Sequence, residues 1–269
     1  MNFETLRVSV DGSIGRLELN RPKCLNALSA GSLRELIDAA RWFDARPEVQ
    51  VVVVRGEGKV FCAGADLRDP PTAAAAPLGE RPWIERRDAA KLGGRMADAI
   101  EAMRAVTIAE IHGRAVGGGV VLALACDLRV MAEDASLMIP EVDLGIPLTW
   151  GAIPRLVREV GPARAKEWVL TCRAVTAAEA REAGLVNRVV PAGDLRAAAQ
   201  ELAQTIAEKP DVPVAITKEH VNAVARAMSA GSTALGDPEV LVATLFDPAG
   251  EEARLRYVTR RFGREREGP

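Results

Sequence analysis

Short alternating stretches open the chain. Leu6 to Val10 and Ile14 to Leu19 place apolar residues at every second position on either side of Asp11-Gly12, the pattern of two strands joined by a tight hairpin. Arg21-Pro22 breaks this pattern, and the period then changes. Leu33, Leu36, Ile37, Ala40 and Phe43 recur at helical spacing, with Ser29 or Ser32 available as N-cap and Pro47 as the stop. Val49 to Arg55 (VQVVVVR) is a continuous apolar run, as expected of a strand covered on both faces. The next helix carries Leu92, Met96, Ile100 and Met103 on one core face, with Gly93-Gly94 weakening its start. Thr107 to Ile111, Asp127 to Met131 and Ser136 to Ile139 read as further strands. A helix from Gly151 to Val160 is stopped by Gly161-Pro162, and another runs to about Leu170. Thr176 to Glu179 forms a capping box, Gly184 suits the end of that helix, and Leu185 to Val190 is a last strand. Beyond residue 194 only helical signals remain: Leu195–Glu208, Val214–Met228, Pro238–Phe246 and Glu251–Phe262. The reading is an α/β core over residues 1–195 followed by a helical region over residues 196–269.

Composition narrows the function classes. Lys+Arg 35 against Asp+Glu 37 gives a net charge of −2, with no basic stripe for nucleic acid and no acidic tail. The four cysteines, Cys24, Cys62, Cys126 and Cys172, are widely spaced without a C-x-x-C, and the only histidines are His112 and His220. Neither a metal cluster nor a disulfide framework is expected from them. No signal peptide and no apolar run of spanning length is apparent, so a reducing cytoplasm is the expected location.

Two glycine-bearing turns carry the candidate chemistry. Thr107 to Ile111 runs into Gly117-Gly118-Gly119 and then an Ala/Leu-rich helix. Val49 to Arg55 runs through Gly56-Glu57-Gly58 into FCAGADL, residues 61–67. Glycine lets the backbone approach a ligand and present bare amides, and a helix N-terminus adds a partial positive charge. Two amides converging on one oxygen would make an oxyanion hole. Taken singly, each turn also reads as a tight connection with no ligand. The spacing matches neither a dinucleotide fingerprint nor a P-loop, and no G-x-S-x-G elbow supports a hydrolase.

FCAGADL, AVGGGVVLALACD and IPEVDLGIP, in this order, resemble the enoyl-CoA hydratase/isomerase (crotonase) superfamily. RPKCLNALS and TAAEAREAGLVNRVV extend the resemblance to roughly residues 5–195. It implies a spiral of ββα units with a C-terminal helical region that packs between subunits, in trimers or dimers of trimers. It also implies acyl-CoA thioester substrates and an enolate stabilised in an oxyanion hole. No cofactor is implied beyond the coenzyme A of the substrate. By the match, Ala65 and Gly118 are the oxyanion donors, with Ala63, Asp66 and Leu67 lining the same loop. Arg68 falls where the family often carries a lysine near the CoA phosphates, or is a solvated surface charge. Lys23, Cys24 and Leu25 match a segment beside the adenine, through backbone atoms, and Cys24 and Cys62 are expected as packed small residues. The stretch from Arg68 to Pro82 is a lid or a passive surface loop.

Glu141 matches the catalytic base, and a partly desolvated carboxylate accepts a proton more readily near neutrality. The chain departs from two-glutamate hydratases at Val121, where the other carboxylate of the pair would stand. Val121 and Trp150 are expected in the acyl pocket, and Trp150 reads equally well as simple core packing. A lone base can still take a proton from C2 of a 3-enoyl thioester and return one at C4. The reading therefore favours a Δ3,Δ2-enoyl-CoA isomerase, with a hydratase or a non-catalytic acyl-CoA-binding protein as alternatives. Asp143, two residues past Glu141 on an assumed extended segment, Glu110, with His112 or Arg114 as partner, and His112 itself are candidate supporting groups, although His112 reads first as a satisfied structural histidine. Thr149 is no base. Tyr257, Arg260 and Phe262 are speculative CoA contacts.

Overall fold

The computed structural model describes residues 3–69, 82–228 and 236–262. The first strands, β1 (Leu6–Asp11) and β2 (Ile14–Leu19), form the expected antiparallel hairpin, with Gly12 taking the positive φ that the two-residue turn requires. Helix α1 (Ala30–Asp44) starts at Ser29, whose side chain accepts from Ser32 N–H, so of the two candidate caps Ser29 acts. The apolar run becomes β3 (Val51–Gly56), which lies between β2 and β4 (Val106–Ile111) in parallel register. Covered on both faces, β3 and β4 are apolar almost throughout.

The remaining strands are β5 (Arg114–Val116), β6 (Leu128–Ala132), β7 (Ser136–Met138), β8 (Ala174–Thr176) and β9 (Arg188–Val190). The large sheet has the order β1-β2-β3-β4-β6-β9, and a small sheet has the order β5-β7-β8. The helices after α1 are α2 (Trp83–Ala90), α3 (Leu92–Glu101), α4 (Gly118–Ala125), α5 (Ala152–Thr171) and α6 (Ala177–Glu182). They are followed by α7 (Leu195–Ala207), α8 (Asp211–Met228), α9 (Asp237–Thr244) and α10 (Pro248–Phe262). Two repeats are plain: β4-β5-α4 and β6-β7-α5 each send one strand to the large sheet and one to the small. The segment after β3 imitates them, because Cys62 bridges in parallel to Ala115 at the edge of β5. This is the spiral that no sequence repeat disclosed.

Sequence reading missed β5, β8 and α2. The two strands are three residues long, too short to show a period. Helix α2 carries Ala90 as its sole buried residue and packs on α9. The expected break at Gly161-Pro162 appears as a kink inside α5, with Gly161 at φ +78. Helix α7 lays Leu195, Ala199 and Ala203 on the large sheet, so the core extends past residue 195. Helix α8 buries no residue and leaves Val212, Ile216, Val221, Val224 and Met228 exposed. It is tied to the core by Lys218, whose ammonium lies 2.7 Å from Asp127 and 2.8 Å from the Ala105 carbonyl.

Candidate functional site

The two glycine turns meet. Gly64 takes φ +91, and a Cβ built there would lie 2.6 Å from the Val116 carbonyl and 3.4 Å from the Gly118 nitrogen. Only glycine allows the loops to abut this closely. The Gly64 carbonyl accepts from Leu28 N–H and the Leu28 carbonyl accepts from Asp66 N–H, which fixes Ala65 between them. Gly117 donates to the Met138 carbonyl and ends β5 with φ +49, and α4 starts at Gly118. Among the described residues, the N–H groups of Ala65 and Gly118 reach no acceptor. They are two bare donors on adjoining loops.

Glu141 follows β7 and Pro140 and opens a turn, its carbonyl accepting from Leu144 and Ile146 N–H at 3.0 Å. Its Oε2 is buried without a hydrogen-bond partner, and burial pushes the carboxyl up to about 7, against a weaker hydrogen bond from its own backbone. A Cβ on Gly117 would stand 2.7 Å from Oε1. The carboxyl thus rests against bare backbone, one residue before the Gly118 donor. In this setting it can take or give a proton near neutral pH, while the two amides can polarise an oxygen.

Ala65, Gly118 and Glu141 border a cavity of about 130 Å³ walled by Val121, Leu148 and Trp150. The Trp150 ring is wedged between helices: a Cβ on Gly93 would come within 2.0 Å of it, and one on Gly118 within 2.5 Å. The Gly93-Gly94 pair is therefore a seat for Trp150 rather than a mere weakness of α3. A wider groove of about 490 Å³ shares Ala65, Leu67 and Glu141 with the cavity. It runs past Ala63, Asp66 and Arg68 to Lys23, Cys24 and Leu25, and Tyr257 borders it too. The Asp66 side chain is turned back on its own loop. It accepts from Arg68 and Asp69 N–H and from Arg21 at 2.8 Å, so it shapes the turn.

Several expectations need correction. Asp143 does not point with Glu141, because residues 141–145 form a turn; it is exposed, 3.7 Å from Arg260. Glu110 pairs with neither His112 nor Arg114. It lies 3.7 Å from Arg55 of β3, which also meets Glu18, and burial raises its carboxyl above the ordinary value although Arg55 counters this. His112, by contrast, keeps its first reading as a structural histidine: it lies outside the cavity, its Nε2 is 3.1 Å from the Gly58 carbonyl, and desolvation lowers its pKa. Cys24 is exposed at the end of a single 3-10 turn, not packed, whereas Cys62 is buried with its thiol pushed up to about 12 by desolvation. Of the expected Arg68–Pro82 lid, residues 70–81 lie outside the described residues, as does the Phe262 side chain. The site residues that sequence reasoning missed are Gly117, whose lack of a side chain makes room for Glu141, and Arg254 of α10, which borders the cavity. The glycine had a signal in GGG; the arginine had none.

The sequence model of the enoyl-CoA hydratase/isomerase family matches residues 9–262. A relative from Mycobacterium bovis named "Probable enoyl-CoA hydratase echA8" is 37% identical over 222 residues, covering 82% of each chain. A "Crotonyl-CoA hydratase" from Syntrophomonas wolfei is 35% identical, covering 88% of this chain and 90% of that one. The crystal structure of an enoyl-CoA hydratase from Mycobacterium avium subsp. paratuberculosis superposes with a TM-score of 0.83 at 27% identity, over 95% of this chain and 99% of the other. These names are hydratase names and give no support to the isomerase preference drawn from Val121. The fold, the paired glycine turns and a match running nearly end to end agree: the chain belongs to the enoyl-CoA hydratase/isomerase family.

Proposed function

We propose that this protein adds water to a short trans-2-enoyl-CoA, using Glu141 as its one acid-base group. The thioester oxygen accepts from Ala65 and Gly118 N–H. The Glu141 carboxylate takes a proton from water as the water oxygen bonds to C3, and the C2–C3 π electrons move to the thioester oxygen as an enolate. The resulting carboxylic acid then returns that proton to C2. One observation carries the reading: a buried carboxyl with one oxygen unpartnered, titrating near 7, shares a cavity with two bare amides. The hydratase names of the relatives support it, and crotonyl is a four-carbon acyl group, in keeping with a small cavity.

Double-bond isomerisation is the second reading, and Val121 is what favours it. Among the described cavity residues Glu141 is the sole carboxylate, and shifting a proton from C2 to C4 needs no held water. On either reading the groove from Ala63 to Lys23 carries the CoA moiety, no cofactor is needed beyond it, and the protein works in the cytoplasm. Its copies assemble as trimers or dimers of trimers, with the exposed apolar residues of α8 offering contact area. A paired assay tests the reaction. With trans-2-enoyl-CoA, loss of the conjugated thioester absorbance is expected; its gain from 3-enoyl-CoA without any such loss would establish isomerisation instead. Silence in both, with CoA esters still bound, would overturn both readings in favour of a binding protein.

A further inference from the structure

Arg254 borders the acyl cavity on the part that the CoA-side groove does not share, together with Leu241 and Leu245 of α9 and its end. Its Nη2 donates to the Leu245 carbonyl at 3.2 Å, while Nη1 is buried with no acceptor. The chain seats it there by a close backbone contact. A Cβ on Gly145 would lie 2.5 Å from the Gly250 Cα, and one on Gly250 would lie 3.3 Å from Arg254 Nη1. The first turn of α10 therefore presses on the loop after Glu141 and holds the guanidinium at the cavity wall.

A guanidinium does not shed its proton, so an unmet one at an apolar wall is costly. Elsewhere this chain gives such groups acceptors: Arg155 has Glu101 and Asp98, Arg129 has Glu159 and the Leu185, Ala123 and Cys126 carbonyls, and Arg104 has the Arg46 and Val49 carbonyls. Among the described residues Arg254 has no carboxylate partner. Glu141, the acid of the same cavity, is equally unpaired, and burial rather than any cation sets its titration. The missing acceptor is on neither element that flanks the guanidinium.

We propose that Arg254 receives a carboxylate on the far end of the acyl group, so that the preferred substrates are CoA monothioesters of dicarboxylic acids. A charged N–H suits a carboxylate oxygen, and an acyl chain ending in methyl would leave Nη1 unmet. The proposal rests on the acyl-CoA reading and adds a substrate class to it.

Binding of unreactive esters tests it without any turnover. The full chain is titrated by calorimetry with glutaryl-CoA and with pentanoyl-CoA, two saturated five-carbon esters that differ in the terminal group. The wild type is expected to bind glutaryl-CoA tighter by roughly 10- to 100-fold, the worth of a charged hydrogen-bonded contact. Arg254→Met should abolish or invert that ratio, and Arg254→Lys should retain part of it. Each ratio is internal to one protein, so a loss of folded material does not distort it. If Arg254→Met does not fold, the wild-type and Arg254→Lys ratios still decide. A wild type that binds both esters without preference, or a preference that Arg254→Met leaves intact, overturns the proposal alone. A wild type that binds neither ester overturns it together with the acyl-CoA reading.

Discussion

Glu141→Gln keeps the shape of the buried side chain and removes its charge, and its effect on folding follows from the site. In the folded chain the carboxyl titrates at about 7; its ordinary value, taken for the unfolded chain, is 4.5. The folded state therefore holds a proton that the unfolded state releases between those two values. That contribution is fully present below about pH 4.5 and is lost as pH rises through about 7. At ~1.36 kcal/mol per pH unit of separation, the ionised Glu141 weakens the fold by about 3 kcal/mol above neutrality. The uncharged amide of the variant bears no such cost. Urea unfolding of both proteins should show an advantage for the variant of below ~1 kcal/mol at pH 5, growing to ~3 kcal/mol at pH 8. Turnover should show the complement: wild-type kcat/KM climbing with pH to a plateau above about 7, and a variant slower by ~10²- to 10⁴-fold. Parallel stability curves across this range would refute the reasoning, because they would mean that Glu141 is either solvated or met by a partner that offsets its burial.

Two other perturbations probe the frame around it. Gly117→Ala places a Cβ 2.7 Å from Glu141 Oε1 at φ +49, ψ −115; kcat/KM should fall by ~100-fold, with a ~1–3 kcal/mol loss in urea unfolding. Arg155→Met strips the buried Glu101 of its main counter-charge. Burial alone would raise that carboxyl, but Arg155 and Arg158 outweigh it and hold it below the ordinary value. The stabilisation is present above pH 4.5 and is lost as pH falls through the lowered pKa, so unfolding at pH 7 should show a loss of about 3 kcal/mol that shrinks in acid.

Elements with a period long enough to express itself were legible in the sequence. Val51–Val54 is apolar because both faces of the sheet are covered there, and Leu33 to Phe43 faces the core at helical spacing. The donor turns were legible because glycine is the one residue that tolerates their contacts. Interactions between distant segments were not. Glu110 has His112 and Arg114 as neighbours in sequence, yet its partner Arg55 comes from β3, the adjoining strand of the sheet. Asp143 shares no direction with Glu141, and nothing in PEVDLG discloses the turn that separates them. Gly93-Gly94 looks like a defect until Trp150, more than fifty residues later, fills the space above it. Arg254 sits in a charged C-terminal helix in which its letter differs in no way from Arg256 or Arg260.

The contact of Gly64 with the Val116–Gly118 backbone has a consequence for how such a protein can change over generations. The two bare amides belong to the main chain, so the changes that leave them standing are those away from the close glycine contacts at residues 64, 117, 118 and 119. Other lining positions, Val121, Thr149 and Arg254 among them, present side chains that can be exchanged one at a time. A lineage can thus reshape the cavity wall while the pair of bare amides is inherited unchanged.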